Sequence, residues 1–330
     1  MENEFLGDMF LVPCCVLVGA IALFYLRSFF KGRQYTGKEK VKNKVFVVTG
    51  ANSGIGKQIV RELNYRGAVV YMGCRSVERG EKAVTELAMS GCNVDRLIVL
   101  PLDLGSFESI NNFVNAIKER EVKLDGLVNN AGVMFYPKFQ LTADGHETTW
   151  QVNYLSNVIL CEKLLPLLEV CEDEARIVFV SSRAHKWVGS LDIDKVDSRS
   201  DWDRFASYGK SKLAQIMYSK LLAEKLRISG SPVVANSCHP GTCYTNLLRY
   251  TPLLNTAILK MIAAPFVWFF MKTPKDGAQT PLYLLLSAKA SGVSGKYFVE
   301  MEPDDPSDIA MDSEMRRQLY VYSKVACNLD

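Results

Sequence analysis

From Lys44 onward the chain alternates short β-branched runs with stretches of helical periodicity. The runs are KVFVVT, AVVYMG, RLIVLPLD, KLDGLVNN, ARIVFVS, PVVANSCH and GKYFVE. Apolar runs of this length bounded by turn residues read as buried strands, and the amphipathic stretches between them as crossover helices. A strand that feeds a helix and then a second strand returns parallel to the first, which restricts the chain to a doubly wound parallel α/β sheet. About seven strands are expected, in one domain over 44–330. No repeat, low-complexity segment or Pro/Gly/Ser-rich linker divides it.

The first strand runs straight into TGANSGIGKQIVREL, with Gly50, Gly54 and Gly56 at the turn and at the helix entry. Glycines in that place let backbone approach a pyrophosphate, which the helix N-terminus attracts. The spacing is TGxxxGxG rather than GxGxxG. At the end of the second strand an NAD site needs a carboxylate for the ribose hydroxyls. Here Cys74 and Arg75 occupy that place, and the first acid is Glu78. Arginine forms charge-assisted bonds to a 2′-phosphate, so NADP(H) is expected over NAD; the plainer reading is a solvated Arg75 opening the next helix.

A tyrosine and lysine four apart share a helix face, and a nearby ammonium favours phenolate. Two such pairs occur, Tyr208/Lys212 in ASYGKSKLA and Tyr320/Lys324 in YVYSK, so spacing does not choose between chemistry and an ordinary surface pair.

The segment Met9 to Leu26, MFLVPCCVLVGAIALFYL, is 18 residues without a charge, the lower end of what spans a bilayer. Glu2, Glu4 and Asp8 precede it, which argues against a cleaved signal. Arg27, Lys31, Arg33, Lys38, Lys40, Lys42 and Lys44 follow it against one acid, Glu39. The expectation is an uncleaved membrane anchor over 1–26 and a basic linker over 27–43, with the domain facing the cytosol. A buried core helix is the alternative, since Pro13 and the marginal length weaken a span. Endoplasmic reticulum is the expected membrane; a lipid droplet or mitochondrial membrane is open. The net charge of +3 calls for no nucleic-acid partner. Nine cysteines show neither a paired framework nor a CxxC spacing, and three scattered histidines argue against a metal site.

With these pieces the chain resembles the short-chain dehydrogenase/reductase family from Lys44 to Gly295, which implies a Rossmann-like fold. TGANSGIG is similar to its cofactor turn, placing Gly50, Ser53, Gly54, Ile55 and Gly56 at the dinucleotide. Asp103 in PLDL matches the adenine contact, and NNAG, Asn129 to Gly132, the fourth-strand motif, with Asn130, Ala131 and Gly132 at the cofactor. Asn153 in QVNYLSN, Ser182 in VFVSSRAH and YGKSK match the catalytic asparagine, serine and YxxxK; Ser181 is a rival for the serine role. Pro240 and Gly241 of HPG, with Thr245, match the group that holds the nicotinamide carboxamide. The order of motifs selects Tyr208, 26 residues after Ser182, and leaves Tyr320 as packing or surface.

The resemblance narrows to the membrane-bound retinol dehydrogenases and a neighbouring polyprenol dehydrogenase, through the N-terminal segment, CRSVERG, NNAGVM, TADG, YGKSKLA, KTPKDGAQTPLY and AMDSEMRRQLYVYS. The chain departs from that subgroup in Asn157, where many relatives place His, and in an extra residue between Ser182 and Tyr208. The resemblance implies that Tyr208 is the acid/base and Ser182 the hydrogen-bond donor to the reacting oxygen. Lys212 would stabilise the phenolate and touch the cofactor, and Asn153 would hold a water relaying protons from Lys212; a helix-stabilising amide is the plainer reading of Asn153. The apolar stretch from about 246 to 272 falls where the family puts a substrate-covering lid, and a greasy lid implies a greasy substrate. The expected function is hydride transfer between NADP(H) and a hydrophobic, membrane-derived alcohol or carbonyl compound, retinoid-like. A polyprenol or steroid substrate is the alternative within the family. An NADP-binding membrane adaptor without turnover is the alternative from another class. A homodimer is open.

Overall fold

The structure, a computed structural model, describes residues 17–19, 21–245 and 257–329. Its centre is an eight-stranded sheet in the order β3-β2-β1-β4-β5-β6-β7-β8. The strands are β1 Val45–Thr49, β2 Val69–Cys74, β3 Leu97–Pro101, β4 Gly126–Asn129, β5 Ala175–Val180, β6 Val233–His239, β7 Tyr297–Val299 and β8 Glu302–Pro303. Six of the seven expected runs each contain one of the first seven strands, and AVVYMG covers all of β2 except Cys74. The eighth is a correction: β8 has two residues and pairs antiparallel with β7, too short to leave a pattern in sequence. Glu300 and Met301, both at positive φ, make the turn between them.

β1 is buried along its whole length and its side chains alternate between two cores. Val45 and Val47 pack with the helices Phe107–Lys118, Ser156–Glu169 and Arg204–Ser229 on one face. Phe46 and Val48 pack with the helices Gly54–Tyr65, Val77–Met89 and Gln279–Leu286 on the other. Period-two alternation inside an unbroken apolar run is what a strand covered on both faces requires. β1 pairs with β2 on one side and β4 on the other, so the chain reverses its winding there. Loops from the carboxyl ends of these strands diverge at that reversal and leave a crevice.

Residues 21–31 form a helix beside Ala257–Phe270. The Phe30 ring lies 5.6 Å from Phe269 and 5.0 Å from Phe270, and the Arg27 guanidinium donates to the Met271 carbonyl at 3.3 Å. Among the described residues no helix is long and apolar enough to cross a membrane. Much of the expected anchor, residues 1–16 and 20, lies outside the described residues, as does 246–256 of the expected lid.

Candidate active site

The crevice is a cavity of about 800 Å³. At its floor Gly50 turns the chain out of β1 with φ +64, and an added Cβ would press on Ala131 at 3.0 Å. The Thr49 hydroxyl accepts from the Asn130 and Ala131 N–H groups at 3.0 and 2.9 Å, and Asn130 Nδ2 donates to the Thr49 carbonyl at 2.8 Å. These bonds clamp the ends of β1 and β4 together. Ser53, at the N-terminus of the helix Gly54–Tyr65, makes no side-chain cap. The first N–H groups of that helix are thus left to an anion. The absence of side chain at Gly50, the uncapped helix and the lack of any acid at the end of β2 fit a dinucleotide.

Gly50, Ser53, Gly54, Ile55, Arg75, Asp103, Asn130, Ala131, Gly132, Pro240, Gly241 and Thr245 line the cavity. Gly56 does not: a Cβ there would lie 2.4 Å from the Gly50 carbonyl, so this glycine serves close packing of helix against turn. Arg75 is exposed at the cavity wall and Arg79, one helical turn on, lines it too. Arg79 was not singled out from the sequence, although CRSVERG places it four residues after Arg75. Asp103 Oδ1 accepts from the Gly105 N–H at 2.9 Å, which holds its loop at the rim.

Ser182, Tyr208 and Lys212 meet on the opposite wall. Tyr208 and Lys212 lie on the helix Arg204–Ser229, capped by Asp203 and ended by Gly230 in the left-handed conformation. Both are buried, with the Lys212 ammonium 5.8 Å from the Tyr208 ring centre. Burial pushes the phenol up to about 12, partly offset by a hydrogen bond from Ser182. Burial also pulls Lys212 down to about 7. The lysine charge by itself therefore does not lower the phenol in this wall. Desolvation sets the direction of both shifts, because both groups are removed from water together. Ser181, the rival serine, spends its hydroxyl on the Lys212 carbonyl at 2.8 Å, whereas Ser182 lines the cavity with the phenol and its Oγ accepts from the Ala184 N–H at 3.2 Å.

Asn153 stands behind this wall, fully buried, and is not among the residues that line the cavity. Its Oδ1 accepts from the Val133 N–H at 2.8 Å, and its Nδ2 donates to the Val133 carbonyl at 2.9 Å and to Ser211 Oγ at 3.0 Å. The side chain thus staples the loop after β4 to the Tyr208 helix. Residues Gln151–Leu155 form a π-helical turn, a widening that recurs at functional sites and that no sequence signal had indicated.

His185 and the aromatic wall were also missed. His185 is fully buried; its Nε2 accepts from the Ser307 N–H at 3.2 Å, so its Nδ1–H donates to the Ser182 carbonyl at 2.6 Å. Burial keeps it neutral, a brace for the serine. His239 lines the cavity, its imidazole pulled down to about 3 by burial and by Arg183. Phe135, at φ +53, turns its ring toward Tyr208 at 5.7 Å, Phe205 at 4.6 Å and Trp187 at 6.4 Å. A bulky residue at positive φ is strained, and here the strain holds an aromatic ring beside the phenol. Tyr320 lies far from this wall: it stacks on Tyr218 and shares Glu162 with Lys324.

The family described as short chain dehydrogenase matches residues 44–252. The chain is similar to retinol dehydrogenase 14 of Mus musculus, 37% identical over 293 residues that cover 86% of this chain and 85% of that one. It is also similar to retinol dehydrogenase 12 of Homo sapiens, 37% identical over 304 residues, 92% of each chain. Among solved structures it resembles an uncharacterized protein from Mycobacterium paratuberculosis, with TM-score 0.71, 28% identity, and 91% of this chain and 98% of that one covered.

Proposed function

The chain belongs to the short-chain dehydrogenase family, as a retinol dehydrogenase-like oxidoreductase, and from that premise we propose that it is an NADP(H)-dependent enzyme acting on a hydrophobic, membrane-derived alcohol or carbonyl compound of retinoid-like class. The observation that carries this reading is one cavity with two chemically different ends. Arg75 and Arg79 stand on one stretch of its wall, and Ser182, Tyr208 and Lys212 stand against the apolar side chains of Val133, Phe135 and Trp187 on another. Two guanidiniums and no carboxylate at the end of β2 favour a 2′-phosphate over free ribose hydroxyls. The bound nicotinamide supplies hydride chemistry and, when oxidised, a positive charge.

The chain's own residues handle the proton. Tyr208 gives its phenolic proton to the carbonyl oxygen in reduction and takes it back in oxidation. Ser182 donates to the same oxygen as charge develops there. Lys212 favours the phenolate once proton transfer has begun. With the phenol at about 12 the protonated, reducing form prevails at neutral pH. Carbonyl reduction is the direction that a cytosolic domain supplied with NADPH would favour.

The described part of the expected lid, Ala257–Phe270, exposes Met261, Phe266, Trp268 and Phe270, and residues 21–31 beside it expose Leu23, Phe24, Leu26 and Phe29. A contiguous apolar face of this kind with Lys31 and Arg33 at its margin suits a membrane interface, from which an apolar substrate would enter. The reading places the domain on the cytosolic side of the endoplasmic reticulum. The test is incubation of the purified protein with NADPH or NADH and a panel of retinoid, polyprenoid and steroid carbonyls. Turnover of a retinal with NADPH ahead of the others is expected. Preference for NADH, or for a polyprenal or steroid, would overturn the corresponding part, and binding of NADPH without turnover of any would leave an adaptor. In intact microsomes protease should remove the domain without detergent; protection would reverse the topology.

A further inference from the structure

An ammonium has three N–H donors. Lys212 spends one on the Val180 carbonyl at 2.9 Å and one on Gln215 Oε1 at 3.2 Å. Gln215 is fully buried, and its other end donates from Nε2 to the Asn153 carbonyl at 2.7 Å. Each partner accepts only one orientation of the amide: the ammonium needs the oxygen and the carbonyl needs the N–H. The Asn153 carbonyl accepts a second bond, from Asn157 Nδ2 at 2.6 Å. A carbonyl oxygen has two lone pairs, and both are taken by side-chain amides. None is left for the water that the family resemblance would place on Asn153.

We propose that Gln215 is a positioning residue that links Lys212 directly to the Asn153 carbonyl, in place of a bound water, and that it favours the charged form of the lysine beside Tyr208 against the effect of burial. Asn157 completes the arrangement by holding the same carbonyl from the other side. The carbonyl dipole of Gln215 stabilises an ammonium in a place where burial works against it. With two donors occupied inward, the third N–H of Lys212 is turned to the cavity, which Lys212 lines. The inference rests on the proposed role of Tyr208 and Lys212 as the proton-transfer pair.

The test reads the lysine itself and needs no substrate. In protein carrying ¹³C-labelled lysine, the Lys212 ε-carbon resonance is assigned by its loss in Lys212→Met, and its titration midpoint is followed in the wild type and two variants. Gln215→Met keeps length and volume but removes the acceptor, so the midpoint should fall by about one pH unit. Gln215→Glu keeps the shape and adds a negative charge, so the midpoint should rise by about as much. Opposite shifts in two variants of one residue are not produced by loss of packing. Should either variant fail to fold, a shift of the stated sign in the other supports the proposal. Midpoints within about 0.2 unit of wild type in the folded variants would overturn it. Turnover retained by Tyr208→Phe would sink the functional reading separately, without moving these midpoints.

Discussion

Tyr208/Lys212 and Tyr320/Lys324 have the same residues at the same spacing on two helices, yet they differ in every physical respect that bears on chemistry. The first pair is buried where the carboxyl ends of β5 and β6 open into the cavity, with Ser182 on the phenol. The second is partly exposed on the outer face of Ser313–Ala326, where the Tyr320 hydroxyl meets Lys225 and Glu162 and Lys324 meets Glu162 at 3.8 Å. A carboxylate and a second lysine satisfy that pair, and neither residue lines the cavity. On the proposed reading, what suits Tyr208 rather than Tyr320 to proton transfer is its surroundings: a cavity with space for a reacting oxygen, and Ser182 and Lys212 on the same wall.

The sharpest way to break this contrast is Tyr208→Phe, which removes the proton donor and little packing. Carbonyl reduction should fall by about a thousandfold while NADPH binding, followed by fluorescence, is kept. Tyr320→Phe in the same assay should stay within about twofold. Equal losses in the two would mean that burial and the Ser182 contact do not set the difference.

At the cofactor end of the same cavity, Arg75→Asp exchanges a phosphate partner for a ribose-hydroxyl acceptor and adds repulsion. The ratio of NADP to NAD affinity should drop by about ten- to a hundredfold. An unchanged ratio would move the 2′-phosphate to Arg79 or deny it altogether, and Arg79→Ala separates these.

Stability offers a subtler contrast. The native pKa of Lys212, about 7, lies below its ordinary value of 10.5. The unfolded chain then holds this proton more tightly, so the group destabilises the fold increasingly as pH falls from about 10 to 7, and fully below that. Lys212→Met should therefore stabilise the protein below pH 7 by about 2–4 kcal/mol in denaturant titrations, with the gain shrinking toward pH 10. It should abolish turnover at the same time. A gain that does not vary with pH would show that the lysine is not held against its charge. The smallest expected effect is that of Tyr320→Phe on stability, under about 1 kcal/mol, since the ring keeps its stack on Tyr218.

The first seven strands and the turn at Gly50 were legible because apolar runs and Gly-rich turns are local signals, and Ser182 with Tyr208 through the order of motifs shared with the family. Other parts were hidden for reasons that can be named. β8 is two residues long. Phe135 joins the cavity wall beside Tyr208 through a backbone angle that a phenylalanine seldom adopts, so its residue type does not announce it. His185 read as a scattered histidine because its partners, Ser182 and Ser307, are three and 122 residues away.

By itself the sequence determined the parallel sheet, the dinucleotide turn and the set of side chains available for proton transfer, because these follow from apolar periodicity and from motif order along the chain. Only the tertiary structure showed that Tyr208 is buried at the cavity while Tyr320 is not, that the Ser181 hydroxyl is spent on the Lys212 carbonyl, and what occupies the Asn153 carbonyl. Those depend on desolvation and on hydrogen bonds between residues far apart in sequence. The Gln215 bond to Asn153 spans 62 residues, and nothing in the local composition of either segment specifies it.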